Sequence, residues 1–546
     1  MNDELELAII GAGFAGLHML YRAVGSKRNV RLFEAGSSVG GTWHWNRYPG
    51  ARVDVESMAY CYAFSPELQQ DWDWTERYSP QPELLRYANH VADRFGLREH
   101  IQLDTRIVTA VFDEDRHRWT LTTQTGERIL ARHCVLATGL LHAPKRVQMR
   151  GLDSYRGIQA YTSQWPQGID LAGKRVVVIG TGSSGIQTIS EVAKIASHLT
   201  VLQRTPSYVI PARNHVLDED YLRQMKARYE ELRLRQFESM GGFFPLAFLD
   251  DPHPKFNALE VSPEQRKAIY DANWAAGGLS FYTAFKDLLL DPAANETCAD
   301  YVRSRIREAV NDPATADKLT PRYPILARRL CAGTGYYEVY NQANVDLVDV
   351  NASPIEGAVP EGLMVGGKLL ACDIIIFATG FDALTGAIEK IDVRGRGGRT
   401  IKAHWAEGVS TYAGMMCAGF PNLMMMNGPS SPSAFWAPIQ IAEYQAGWIE
   451  RCLNHLARTG LDCIEARPEC EAQWMQTVEQ IAAPTLFAQV KSWYFGDNIP
   501  NKKHRMLVYL GGYAAYCAEC EHGAADGYQN FKLSAVESRA AVAVAV

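Results

Sequence analysis

Two runs in this chain share a spacing that suits one kind of chemistry: Gly11-Ala12-Gly13-Phe14-Ala15-Gly16 and Gly180-Thr181-Gly182-Ser183-Ser184-Gly185. Each follows a short apolar strand, Leu5–Ile10 or Arg175–Ile179, and opens a helical stretch that runs to about Ala23 or Ala193. In that setting GxGxxG binds a dinucleotide. The first glycine turns the chain, the second admits a pyrophosphate, and the third lets helix and strand pack. The phosphate rests on free amides at the helix N-terminus. The following strands, Val30–Phe33 and Leu199–Leu202, tell the two sites apart. Glu34 stands 23 residues after Gly11, where a carboxylate accepts hydrogen bonds from a ribose diol. The same count from Gly180 reaches Gln203, then Arg204 and Thr205, and a guanidinium there suits a 2′-phosphate. The first site reads as one for FAD and the second as one for NADPH. Val39-Gly40-Gly41-Thr42-Trp43 lets the backbone approach the flavin half. The two cofactors together imply hydride transfer.

The run Gly40-Gly41-Thr42-Trp43-His44-Trp45-Asn46-Arg47-Tyr48-Pro49-Gly50-Ala51-Arg52-Val53-Asp54 resembles the flavin-side signature of class B Baeyer–Villiger monooxygenases, in the branch with phenylacetone and steroid monooxygenases. The resemblance extends through Gln203–Asn214, Pro324–Tyr340, Phe377–Gly386, Gly428–Ser433 and Ser492–Pro500. The family's linker fingerprint F-x-G-x-x-x-H-x-x-x-W is matched by Tyr155, Gly157 and Trp165, but Tyr161 replaces its histidine. A tyrosine hydroxyl is expected to supply the same hydrogen bond there, and coupling efficiency is the property the change touches. In this family NADPH reduces FAD, and one atom of molecular oxygen is inserted beside a ketone carbonyl to give an ester or lactone.

The resemblance assigns Arg329 as the catalytic arginine and Asp54 as the carboxylate that orients it. An arginine keeps its charge at working pH, which suits a developing oxyanion. If Ala327–Leu330 is extended, Arg328 and Arg329 point to opposite sides, and Arg328 is expected to reach the NADP phosphate with Arg204. Two surface arginines at a domain junction is the other reading of the pair. Trp493 matches a tryptophan that closes over the nicotinamide, Tyr60 a flavin-contacting tyrosine, and Pro438 a flavin-contacting position. Expected cofactor contacts are Gly11, Gly13, Phe14, Ala15, Gly16, Glu34, Gly41, Thr42, Trp43, Arg52, Asp54, Tyr60, Ile107, Thr181, Gly182, Ser183, Ser184, Gly185, Gln187, Arg204, Thr205, Arg328, Arg329 and Trp493. Ser433, Ala434, Phe435 and Trp436 are the expected substrate pocket, the last two bulkier than the family pattern leads one to expect.

These residues need a scaffold of α/β class: two Rossmann-like dinucleotide-binding domains with a helical insertion in the second. Residues 1–140 and 385–546 are expected to bind FAD, 151–213 and 332–384 NADP, with the insertion over 214–331. Within the insertion, Leu222, Met225, Tyr229 and Leu232 recur at helical spacing, as do Val302, Ile306, Ala309 and Val310. Ser262-Pro263-Glu264-Gln265 reads as a helix start. Strands are expected at Asp346–Val350, Ile374–Phe377 and Cys134–Ala137, the last two ending in Thr-Gly turns.

The 546 residues are 47% hydrophobic and 21% charged, with net charge −6, so two to four domains with real cores are expected and a nucleic-acid partner is not. The acidic N-terminus runs straight into a strand, unlike a signal peptide. No apolar run approaches the about 20 residues of a membrane span, and the tail Ala540–Val546 reads as a frayed or packing end. Eleven cysteines without framework spacing suit a reducing cytoplasm. Cys517 and Cys520, near His522, lack a second ligand pair for zinc, so no metal site is expected. A monomer or weak homo-oligomer is expected. The alternatives are a class B flavin monooxygenase acting on sulfur or nitrogen and a cofactor-binding sensor. A disulfide reductase is set aside because Gly40–Asp54 holds no cysteine.

Overall fold

The computed structural model describes residues 4–239, 241–242, 244–435 and 437–535, so Trp436 and the tail Ala540–Val546 lie outside the described residues. Two parallel sheets carry the two glycine loops. In the first, Leu5–Ile10 lies between Val30–Phe33 and Arg128–Leu136, and Val30–Phe33 pairs on its other side with Ile101–Gln102, all parallel. In the second, Arg175–Ile179 lies between His198–Gln203 and Ile374–Phe377, flanked by Val345–Asp349 and Ile158–Tyr161, again all parallel. Strands buried on both faces read as unbroken apolar runs rather than alternating ones. Leu7 to Ile9 and Val176 to Val178 are accordingly 0–1% exposed.

Both units insert an antiparallel excursion before their last central strand. In the first it is Ile107–Asp113 and Arg118–Thr123, which lead into Arg128–Leu136. In the second it is the three-stranded Ile355–Val359, Gly362–Val365 and Lys368–Ala371. The alternating burial of Arg118–Thr123 shows one face on the core and one toward water.

Between the parallel pair Val209–Pro211 and Cys331–Gly333 the chain forms helices Glu219–Ala227, Tyr229–Glu238, Pro263–Ala276, Pro292–Ala309 and Pro313–Leu319. Their starts follow from side-chain caps. Asp218, Ser262, Asp291 and Asp312 each accept a backbone N–H of the first turn, and proline opens the last three helices. Leu222, Met225, Tyr229, Leu232, Val302, Ile306 and Val310 are all buried. Farther along, Asp392–Arg394 and Leu423–Met425 join the first sheet beside Ile107–Asp113 and Arg128–Leu136. Helix Pro438–Thr459 packs on helix Phe14–Gly25. Among the described residues, no helix is long and apolar enough to cross a membrane.

Candidate active site

The two glycine loops are built alike. Gly11 and Gly180 turn at φ 107° and 109°, where a side chain would be strained. A Cβ on Gly16 would fall 1.8 Å from the Gly11 carbonyl oxygen, and one on Gly185 2.2 Å from that of Gly180. Each loop thus presses a helix N-terminus, at Phe14 or Ser183, against its strand. The paired glycines join the first loop: Gly40 N–H donates to Ala12 at 2.9 Å, and a Cβ on Gly41 would meet Gly13 Cα at 2.7 Å. Thr42 and Trp43 begin the short helix Thr42–Trp45 that follows.

Glu34 is buried and accepts from Ala12 N–H at 2.7 Å and Gly36 N–H at 2.8 Å. Burial raises its pKa, opposed by those two amides and by Arg106. A carboxylate held against the first glycine loop fits the ribose of an unphosphorylated adenosine. Ile107 is buried at the start of its strand. Trp43 Nε1 donates to the Tyr60 hydroxyl at 3.2 Å. Burial raises the Tyr60 pKa, and Phe14 packs edge-on to that ring. Ala15 lies partly buried against the core.

In the second unit Gly182 has nothing within 4 Å of where a Cβ would stand, so the helix N-terminus it precedes is open for a pyrophosphate. Thr181 Oγ1 donates to the Thr205 carbonyl at 3.0 Å, fixing the turn beside exposed Arg204. Lys145, which sequence reasoning missed, is the second cation at this corner. Burial and then the charge of Arg204 lower its pKa, so two cations stand near one another at this corner. The Arg328 guanidinium lies 4.7 Å over the Tyr323 ring and donates to the Lys491 carbonyl at 2.9 Å. Arg328 and Arg329 thus take different partners, although residues 325–328 form a turn and bend rather than the extended segment expected. Ser183 Oγ lies 3.4 Å from Cys331 Sγ, and Ser184 hydrogen bonds with Tyr48.

Arg329 and Asp54, 275 residues apart in sequence, meet in a two-pronged ion pair: Nε–Oδ2 2.7 Å and Nη2–Oδ1 2.9 Å. Arg329 Nη1 donates to the Ala434 carbonyl at 2.9 Å, which ties it to the turn Ser433–Phe435. Burial would lower the arginine's pKa, but Asp54 outweighs it and the group is held more firmly charged. Around this cation stand Tyr282, Phe435, Phe487 and Tyr494 in successive edge-to-face contacts at 5.8, 5.6 and 5.3 Å. Tyr282, Phe487 and Tyr494 were not picked from the sequence, since nothing local marks them. Pro438 starts the next helix, its carbonyl accepting from Asn427. Trp493 and Tyr494 share the turn Trp493–Phe495, rings 4.2 Å apart.

The two units are clamped across the site. Gln187 accepts from the Tyr48 hydroxyl at 2.9 Å and Arg52 N–H at 3.4 Å, and donates to the Arg52 carbonyl at 3.2 Å. The Arg52 guanidinium is turned to Glu76 at 3.0 Å. Beyond Trp493, Asn498 donates to the Phe381 carbonyl at 2.7 Å and accepts from Lys145 at 2.8 Å, while Lys502 pairs with Asp382 at 2.5 Å. Tyr161 stacks on Phe377 at 4.6 Å, lies under Arg146, and its hydroxyl accepts from Val147 N–H at 3.3 Å. Tyr155 donates to the Cys372 carbonyl at 3.1 Å, and Trp165 packs on the core.

Cys517 and Cys520 are buried in helix Tyr513–Tyr528, and burial raises the Cys517 thiol to about 12 and Cys520 still higher. His404, Cys417 and Glu471 bring donor atoms within 4.8 Å, but Glu471 already accepts from His404 Nε2 at 2.8 Å and from Ala418 N–H.

A family model described as pyridine nucleotide-disulphide oxidoreductase matches residues 5–234, which contain both glycine loops. A phenazine N-monooxygenase of Lysobacter antibioticus is 41% identical over 97% of this chain and 98% of its own. A Baeyer–Villiger monooxygenase of Pseudooceanicola batsensis is 39% identical over 94% of both chains. A solved steroid monooxygenase bound to NADP superposes with TM-score 0.92, at 43% identity, over 97% of this chain and 99% of its own. Similarity of this extent, added to a paired Arg329 and Asp54 between two dinucleotide loops, establishes that the chain belongs to the Baeyer–Villiger monooxygenase family.

Proposed function

We propose that this FAD-dependent monooxygenase consumes NADPH to insert one oxygen atom from molecular oxygen beside the carbonyl of a small ketone, giving an ester or lactone. The Arg329–Asp54 pair carries this reading. When bound, FAD reduced by NADPH supplies the activated oxygen. The chain's part is positional and electrostatic. Asp54 occupies two of the five N–H groups of Arg329 and the Ala434 carbonyl a third, which fixes the guanidinium plane. The remaining N–H groups can stabilise the oxyanion that develops on the substrate. Tyr282, Phe435, Phe487 and Tyr494 frame that charge with aromatic surface. Glu34 and the Gly11–Gly16 and Gly41–Trp43 turns would hold FAD, and Gly182, the Ser183 helix start, Arg204 and Lys145 would hold NADPH.

The reading assigns residues 1–140 and 385–546 to FAD, 151–213 and 332–384 to NADP, and 214–331 to an insertion that lends Tyr282 and Arg329 to the pocket. It describes a cytoplasmic monomer or weak homo-oligomer. Nitrogen oxidation is the second reading, favoured by the 41% identity to a phenazine N-monooxygenase.

The test is NADPH consumption and product mass with cyclic, aryl and steroid ketones and with phenazines. Ketone-dependent turnover to a product one oxygen heavier, falling by about 100-fold or more in Arg329→Ala, supports the first reading. Products formed only from the heterocycles establish the second. Flavin that NADPH cannot reduce overturns both.

A further inference from the structure

Arg329 has a neighbour with an unusual deficit. Tyr494 is 0% exposed, and among the described residues its hydroxyl has no hydrogen-bond partner of good geometry. The guanidinium it lies against can only donate, so the phenolic proton has no acceptor. Buried hydroxyls are normally satisfied, and one that is not calls for an explanation, which a bound ligand at this position would supply. Tyr282, another tyrosine near Arg329, shows the contrast: it accepts from Leu330 N–H at 3.3 Å and reaches the Leu326 carbonyl.

The geometry points to Tyr494 as a further catalytic residue, whose O–H donates to the substrate's carbonyl oxygen and holds it together with Arg329. This rests on the Baeyer–Villiger reading above. Three features support it. Ser492 Oγ accepts Tyr494 N–H at 3.3 Å and Asp497 accepts Ser492 N–H at 2.9 Å, so the turn carrying the ring is itself anchored. Phe487 packs edge-on to the ring at 5.3 Å and 89°, which fixes its direction. Burial raises the phenol to about 12 against the opposing pull of Arg329, so the proton stays on oxygen at neutral pH. A charged donor and a neutral donor in an aromatic frame suit a neutral carbonyl whose oxygen gains negative charge during reaction.

Tyr494→Phe keeps the ring and removes only the oxygen, so packing on Phe487 is retained. Two measurements decide the matter in the FAD-loaded enzyme. The first compares kcat/KM for a cyclic ketone with kcat/KM for a thioether, which has no carbonyl. The expected result is a fall of about 10- to 100-fold for the ketone and about twofold or less for the thioether. Equal losses on both, or no loss on the ketone, overturn the proposal. The second is calorimetric binding of cyclohexanone to the oxidised enzyme without NADPH, expected to weaken about fivefold or more. Unchanged affinity overturns the proposal. Wild-type enzyme that turns over no ketone overturns the Baeyer–Villiger reading instead, and the binding measurement then still decides whether the phenol recognises a carbonyl.

Discussion

At the scale of single residues, charge placement divides the labour. Arg204 is exposed at the corner of the second glycine loop. Lys145 is close enough that the arginine lowers its pKa. Two like charges held this close repel one another, a cost that a bound phosphate would relieve. Arg204→Ala is therefore expected to raise KM for NADPH by about 10- to 100-fold and to leave KM for NADH nearly unchanged, which initial rates with the two nucleotides measure. An equal rise for both would mean that Arg204 supports the loop rather than the 2′-phosphate. Arg204 and Glu34 were legible because each follows a countable strand. Arg329 and Asp54 were legible through the family signature, whereas the turn and bend over residues 325–328, with Leu326 at φ 68°, were not, because the run reads as extended. Lys145 and Tyr494 were not, because their meaning lies in neighbours distant in sequence: Arg204 for one, Arg329 and Phe487 for the other.

At the scale of elements, the two glycine loops pose one question in two ways. Gly185 stands where a Cβ would be 2.2 Å from a backbone oxygen, whereas Gly182 stands in open space at an extended φ of −82° that any residue adopts. The third glycine thus serves folding and the second serves the ligand. Gly185→Ala is expected to lower stability by about 1–3 kcal/mol, as overpacking does, read as an earlier thermal midpoint. Gly182→Ala is expected to keep that midpoint and weaken NADP binding about tenfold or more, because the methyl fills the place of the pyrophosphate. Loss of stability in Gly182→Ala would contradict this division. The strands just before and after each loop were legible to within a residue, since buried parallel strands are short apolar runs, whereas Arg128–Leu136, expected from Cys134, begins six residues earlier in a stretch of mixed polarity. The antiparallel excursions at Ile107–Asp113 and Ile355–Ala371 were not. Their strands mix polar and apolar residues, and pairing partners cannot be read from a local window.

At the scale of the molecule, reaction requires that two nucleotide-binding units face one another in a fixed relation, and the structure concentrates that relation in few contacts. The segment Tyr48–Arg52 leads from the first glycine pair to Asp54. It is joined to helix Ser183–Val192 of the second unit by Ser184, which meets Tyr48, and chiefly by Gln187, which makes three hydrogen bonds to it. A Cβ on Gly50 would meet the Gln187 carbonyl at 2.5 Å, so the two backbones are also in contact. Sequence reasoning named Gln187 as a cofactor contact and said nothing of its bonds to Tyr48 and Arg52, because the duplicated motif tells where each unit begins but not how the two units meet. Gln187→Ala removes the clamp without entering either glycine loop or the Arg329 pocket. FAD content and NADP affinity are expected to stay near those of the parent enzyme. The rate at which NADPH bleaches the flavin absorbance under anaerobic conditions is expected to fall about tenfold or more, since a displacement of about an ångström between reacting groups costs up to 100-fold. Stopped-flow absorbance measures it directly. An unchanged rate would mean that the Lys502–Asp382 and Asn498–Phe381 contacts suffice to hold the units in register. A matching loss of NADP affinity would return Gln187 to the nucleotide site.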